Sequence, residues 1–233
     1  MGNKLIAMIK DNFQPLSEEG LPLILEASID GVLGQIASGL VSFRLSYKQR
    51  KFEENTTQAL KSLLKRTRKL DAKLDNLTDE VRHNIAARVL PITFDYVQDE
   101  LELEKIEFII NGFESAVEGM ITEESVIIAY HDVLKELRMA EIRKLIEFDL
   151  RNINRELNIN LDLIMDRSRE GRRTQSTVSG YEKYVESKLT QIGLIHKEFE
   201  GGIVAGEGVG RPVTRLTEFG KNLLDYFKML ELT

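Results

Sequence analysis

The chain reads as a mainly α protein: a helical bundle with long N-terminal helices, followed by a smaller C-terminal module with one β-hairpin. Three observations carry this. Apolar residues recur at spacings of three and four from Lys4 to Leu157, with no strand-like alternation in between. A single pair of extended segments, Leu194–Phe199 and Val213–Leu216, flanks a glycine-rich tip, GGIVAGEGVGRP. With 42% hydrophobic and 30% charged residues and only four prolines in 233 residues, the composition is that of a folded, helix-rich chain. The periodicity divides the chain into a helical domain over 1–138 and a module over 139–233, the latter including a polar linker at 168–180.

Lys4–Phe13 forms a short amphipathic helix through Leu5, Ile6, Ile9 and Phe13, ending before Pro15. Ser17–Gly20 turns into Leu21–Phe43, an apolar stretch rich in small residues, with Ala27/Gly31 and Gly34/Ser38/Ser42 at four-residue spacing. It has the length of a membrane span, but Glu26, Asp30 and Gln35 interrupt it, and a carboxylate at a bilayer centre costs about 2.5–3.5 kcal/mol. Two readings stand: a buried hairpin or helix of a soluble bundle, or a conditional membrane element that inserts on triggering.

From Arg44 to Lys73 there are ten Lys/Arg against three Asp/Glu, whereas Leu74–Leu150 holds eighteen Asp/Glu against seven Lys/Arg. Arg44–Leu77 is expected to be one continuous helix, with Leu60, Leu63, Thr67, Leu70, Leu74 and Leu77 as a heptad seam. That seam is short for a free coiled coil, so it packs inside this chain or, as the second choice, forms a dimer. Arg44, Lys48, Arg50, Lys51, Lys65, Arg66, Arg68 and Lys69 are the candidate anionic-surface residues. The competing reading is that opposite-charged helix faces simply meet within one bundle.

Thr78-Asp79-Glu80 opens the next helix with a capping hydroxyl and carboxylates at its positive end. Val81, Ile85 and Val89 continue it until Pro91 ends or kinks it. Leu103, Ile106, Ile110, Phe113 and Val117 form a stripe closing at Gly119, and Thr122-Glu123-Glu124 opens a helix with Ile127, Tyr130, Leu134 and Leu137 inward. Ala140–Leu157 follows through Ile142, Ile146 and Ile153, then the polar linker with Arg169, Arg172 and Arg173. Tyr181–Leu194 is a helix ending at Gly193; after the hairpin, Thr217 caps a last helix with Phe219, Leu223, Phe227 and Leu230 on its inner face.

The chemistry-bearing patterns are sparse. There is no cysteine, which excludes disulfides, thiol nucleophiles and Cys-ligated metals and fits a cytoplasmic address, at most peripheral to a membrane. Gly206–Gly210 lacks the Lys-Ser/Thr of a phosphate loop. Glu80-x-x-His83 has di-iron spacing, but neither His131 nor His196 has the second Glu three residues before it. No catalytic residue, cofactor site, metal site or small-molecule substrate is assigned.

LTQIGLI (189–195) followed by RLTEFGKNLLDYF (215–227) resembles the second half of a winged helix. Candidate contacts of such a module with DNA or a partner are Lys183 and Lys188 on its helix and Arg211 and Arg215 on its wing, although Gly171–Thr233 is nearly charge-balanced, with nine Lys/Arg against eight Asp/Glu. With YHDVLKELRMAEIRKLIEF (130–148) ahead of these motifs, the layout over Val81–Phe227 is similar to that of the abortive-infection alpha proteins and related bacterial prophage and mobile-element proteins. The resemblance implies a phage-defence effector and transfers no functional residue; the apolar segment ahead of a basic helix departs from it. The expectation is a non-enzymatic interaction or effector protein with conditional membrane association and a protein partner or self-association. A DNA-binding regulator from a mobile element is the alternative.

Overall fold

The structure, a computed structural model, describes residues 4–13, 47–156, 175–200 and 211–232. It is mainly helical, with a small two-stranded antiparallel hairpin near the C-terminus. It divides into two compact units, Met1–Glu136 and Leu137–Thr233. The apolar segment Leu21–Phe43, Arg44, the arginines at 169, 172 and 173, and the glycine-rich tip at 201–210 lie outside the described residues.

In the first unit, α1 (Lys4–Phe13) buries Leu5, Met8 and Ile9. It packs on α3 (Thr67–Asp75), where Asp71 Oδ1 accepts the Leu5 N–H at 2.9 Å and satisfies a donor of the first helical turn. The expected continuous helix over Arg44–Leu77 is instead two: α2 (Tyr47–Lys65) and α3, parted at Arg66. Two local bonds account for the break. Arg66 N–H donates to Leu63 O, a tighter i−3 bond, and Thr67 Oγ1 bonds back to Leu64 O at 2.9 Å. Most of the seam survives the break: Leu60, Leu63, Leu70 and Leu74 are fully buried, while Thr67 and Leu77 are half-buried, and α2 and α3 pack on later helices of the same unit.

Thr78 caps α4 (Asp79–Asn84) by accepting the Val81 N–H. Pro91 does not end this helix. A π-helical turn, Ile85–Val89, lies directly ahead of it, with Leu90 N–H reaching back to Ile85 O, and α5 (Leu90–Asp99) runs on. The wide turn absorbs the proline ring and its missing N–H. Thr93 Oγ1 donates to Val89 O at 2.8 Å, supplying a further donor there.

The centre of the unit is α6 (Lys105–Gly119), buried on nearly every face and touching α2, α3 and α5. Its left-handed cap is Met120 (φ 53°), not a glycine, and Ile121 N–H closes the end on Ala116 O at 2.9 Å. Next, α7 (Glu124–Glu136) turns Ile127, His131 and Leu134 inward and packs on α5, while Tyr130 is half-buried.

The second unit begins with α8 (Met139–Glu156), which buries Ile142, Leu145, Ile146 and Phe148. The helix α9 runs from Gln175 to Gln191, so Gln175–Gly180, expected as linker, is helical. No proline interrupts that stretch, and a single exposed glycine lowers helix propensity by only about 1 kcal/mol. Gly193 (φ 83°) ends α9, and Leu194 N–H folds back onto Leu189 O. Strands β1 (Ile195–Glu200) and β2 (Arg211–Leu216) then pair antiparallel, Ile195 opposite Leu216.

Thr217 caps α10 (Glu218–Tyr226), which buries Leu223 and Leu224, with Phe227 buried just beyond it. Leu230, expected on the inner face, is 36% exposed, and Phe219 is only half-buried. The reason is Lys228, whose φ of 47° takes the chain out of helical register, so that Met229 fills the core instead.

Candidate functional site

Among the described residues the chemistry lies in charge networks, and the basic run of α2–α3 divides in two. One part is consumed inside the first unit. Arg66 Nη2 meets Glu107 Oε2 at 2.8 Å, while Nη1 meets Asn111 Oδ1 at 2.5 Å and Glu114 Oε2 at 3.0 Å. Lys69 bonds to Glu114 and, at 3.1 Å, to Glu118, contacts that hold its ammonium above the usual lysine range. Ser62 Oγ adds a bond to Glu107 at 2.9 Å. Because Glu114 is only 4% exposed, the two cations serve chiefly to satisfy an otherwise uncompensated buried carboxylate.

The other part faces water. Arg50, Lys61, Lys65 and Arg68 are exposed, as are Lys73 and the stem of Lys69; Lys61 and Lys65 share one face of α2, and Arg68 follows just beyond the break on α3. Lys51 pairs with Glu54 at 3.3 Å within α2, and Lys48 belongs to the first turn of that helix.

A second network ties the α5–α6 link to its surroundings. Buried Lys105 Nζ meets buried Glu100 Oε2 at 2.7 Å, and Glu100 Oε1 accepts the N–H groups of Leu101 and Glu102. Asn55 Nδ2 donates to Val97 O and Glu100 O at 2.9 and 2.7 Å. Nearby, His131 is 1% exposed; its Nδ1–H donates to Ile127 O at 2.8 Å, and burial lowers its pKa to about 4, keeping it neutral. Its ring lies 5.0 Å from that of Tyr96.

On the outside of α5 and α7, a groove of about 260 Å³ is lined by Ile92, Tyr96 and Ile128 together with Asp95, Asp99, Asp132 and Lys135. Tyr96 Oη donates to Asp132 at 2.5 Å; burial, then this bond, raises the phenol's pKa. Lys135 Nζ sits 2.9 Å from Asp99 and 5.8 Å over the Tyr96 ring.

The second unit spends part of its positive charge in the same way. Lys188 Nζ lies 2.7 Å from Glu141, which is 2% exposed and also accepts the Arg138 N–H at the start of α8. Arg215 pairs with Glu198 at 2.9 Å across the hairpin, and His196 with the same carboxylate at 2.7 Å; the His196 bond and the Arg215 charge hold Glu198 below the usual carboxylate range. Lys183 is exposed on α9 and Arg211 opens β2 opposite Glu200. The four candidate contacts therefore do not form one uniformly basic face: two are neutralised by carboxylates of their own unit.

Glu80 and His83 lie on the exposed surface of α4, and no group of three or more His, Asp or Glu side chains among the described residues is placed to hold a metal. None of the described helices is long and apolar enough to cross a membrane. Asp99, Glu100, Glu102 and Glu104 with Lys105 read in the sequence as a solvated acidic helix face, but residues 100–104 form a non-helical link in which Glu100 turns inward to pair with buried Lys105. The burial of Asn55, His131 and Glu141 is likewise unexpected from the sequence. Only Glu141, three residues after Arg138 at a helix start, carried a pattern signal, that of a capping acid. Comparison of the chain with protein-family models, curated proteins and solved structures found no match.

Proposed function

We propose that the chain is a non-enzymatic interaction protein whose first unit docks on an anionic membrane surface through the outer face of α2–α3. The observation that carries the reading is the division of the basic run. Arg66 is engaged inside and Lys69 reaches in from the surface to Glu114 and Glu118, whereas Lys61, Lys65 and Arg68 are exposed on α2 and the start of α3. Cations that a fold does not use internally remain available to phosphate head groups, each contributing about 1 kcal/mol near an anionic leaflet. In sequence, the basic run that contains these residues follows directly on the apolar Leu21–Phe43 segment, which supports a conditional association rather than a permanent span. The abortive-infection resemblance adds phage defence as the setting, with the second unit as the sensing or docking element.

The test is flotation of the full chain with vesicles of phosphatidylcholine alone or mixed with phosphatidylserine. Binding is expected only with the anionic lipid, falling as salt rises. Lys61→Glu/Lys65→Glu/Arg68→Glu should weaken it by about 3 kcal/mol or more, on the order of a hundredfold. Absence of flotation with anionic vesicles, or equal flotation of the charge-reversed protein, would refute the reading.

A further inference from the structure

The geometry points to a head-to-tail self-association in which the basic face of α2–α3 of one copy occupies the groove between α5 and α7 of another. The groove joins apolar walls, Ile92 and Ile128, to a row of carboxylates. Asp95 and Asp99 stand four residues apart on α5, about 6 Å along the axis, and Asp132 faces them from α7. Both α5 aspartates are exposed. Lys61 and Lys65 have the same four-residue spacing on α2, with exposed Arg68 following beyond the break on α3, so a cation pair and a carboxylate pair of equal pitch can lie side by side.

The groove already shows what it accepts. The Lys135 ammonium lies against Asp99 and over the Tyr96 ring, so carboxylate and aromatic face together hold a lysine head while the isoleucines can cover an aliphatic stem. Lys135 is the one cation of that lining, against three aspartates, which leaves net negative charge to be matched. A chain cannot supply the match from its own α2. The inner face of that helix, Leu60 and Leu63, is buried in a helix that packs on α5 and α6, and the cations point the other way. The occupant is therefore a second copy. Because stripe and groove are different surfaces, the contact is heterologous and able to repeat.

The proposal does not depend on membrane binding, because it is tested without lipid. The sedimentation of the full chain is measured from low to high concentration at about 50 mM and about 500 mM NaCl, a range over which surface charge pairs lose most of their strength. Wild type is expected to associate with rising concentration at low salt and to dissociate at high salt. Asp95→Lys/Asp99→Lys and Lys61→Glu/Lys65→Glu/Arg68→Glu should each weaken association at least about tenfold, since like charges then face each other. Their equimolar mixture should recover it, because each variant's altered surface complements the other's. All substitutions fall on exposed positions, and unchanged thermal unfolding of each variant checks its fold. A wild type that stays monomeric at every concentration at low salt, or a mixture no more associated than its components, would overturn the proposal. Flotation of Asp95→Lys/Asp99→Lys separates the two readings: this variant keeps the basic face and should still bind anionic vesicles.

Discussion

Replacing Gly220 by alanine is expected to destabilise the second unit, although the same replacement at Gly180 is expected to stabilise it. Both glycines lie within helices, where alanine is normally favoured by about 0.5–1 kcal/mol. At Gly180 an added Cβ meets nothing within 4 Å, so only the propensity gain remains. At Gly220 it would lie 2.2 Å from Leu194 O and 3.1 Å from Leu194 C, both backbone atoms. That carbonyl is held: it accepts the Thr217 N–H at 3.0 Å, and Thr217 Oγ1 both donates to Gly193 O at 2.6 Å and accepts the Gly220 N–H at 2.9 Å. Relief requires α10 and the end of α9 to separate by most of an ångström, disturbing the Thr217 bonds to Leu194 O and Gly193 O. Overpacking of this kind costs about 1–3 kcal/mol and at times more; a rigid backbone partner puts it at about 3, or about 2 net of the propensity gain. For a unit of this size each kcal/mol moves the midpoint by about 4–8 °C, so Gly220→Ala should lower it by roughly 8–16 °C while Gly180→Ala raises it by a few degrees. Thermal and urea unfolding followed by circular dichroism measure both. A Gly220→Ala protein as stable as wild type would mean that α10 does not approach Leu194 as described.

Three other substitutions have defined signs. Met120→Gly removes the cost of a left-handed side-chain-bearing residue, about 1 kcal/mol, at a position 59% exposed, and should raise the unfolding free energy by that amount in a urea titration. Lys105→Met leaves Glu100 buried without its ammonium and should lose about 3–5 kcal/mol; a loss below 1 kcal/mol in denaturant titration would count against the pair. His131 is neutral when folded, with a pKa of about 4 against 6.5 in the unfolded chain, so between those values the unfolded state binds the extra proton. Stability from this group is thus full above pH 6.5 and falls by about 3 kcal/mol as pH drops to 4; His131→Gln should flatten that part of the pH–stability curve, and an unchanged slope would contradict the assignment.

Features written in local pattern were legible in the sequence. The Leu60–Leu74 seam follows from helical period, the caps at Thr78 and Thr217 from a side-chain oxygen ahead of an acidic first turn, and the Gly193 stop from the need for positive φ. What stayed hidden depends on partners far along the chain. Arg66 looks like another surface cation of a continuous helix, and only residues 41–48 positions later show it bound inward. His131, Glu141 and Lys105 have the polarity of exposed residues, and their burial is a property of the neighbours that enclose them. Pro91 signals a helix end or a kink, and of the two only the end is ruled out: the helix widens for a single turn ahead of the proline and runs on.

The same distinction bears on function. A count of ten cations over Arg44–Lys73 overstates the basic surface, because a buried carboxylate such as Glu114 draws in Arg66 and Lys69 to offset its own desolvation. The second unit treats Lys188 in the same way through Glu141. Removing such a cation harms folding before it harms binding, so a mutagenesis survey that pooled all basic residues would confound the two. The informative positions are Lys61, Lys65 and Arg68, which are exposed and whose reversal should leave the unfolding free energy within about 0.5 kcal/mol of wild type. Arg66→Ala should instead cost about 2–3 kcal/mol by leaving Glu107, Asn111 and Glu114 short of a donor. If the two sets of variants lost stability equally, the division of the basic run between fold and surface would be wrong, and with it the basis for assigning that surface a ligand.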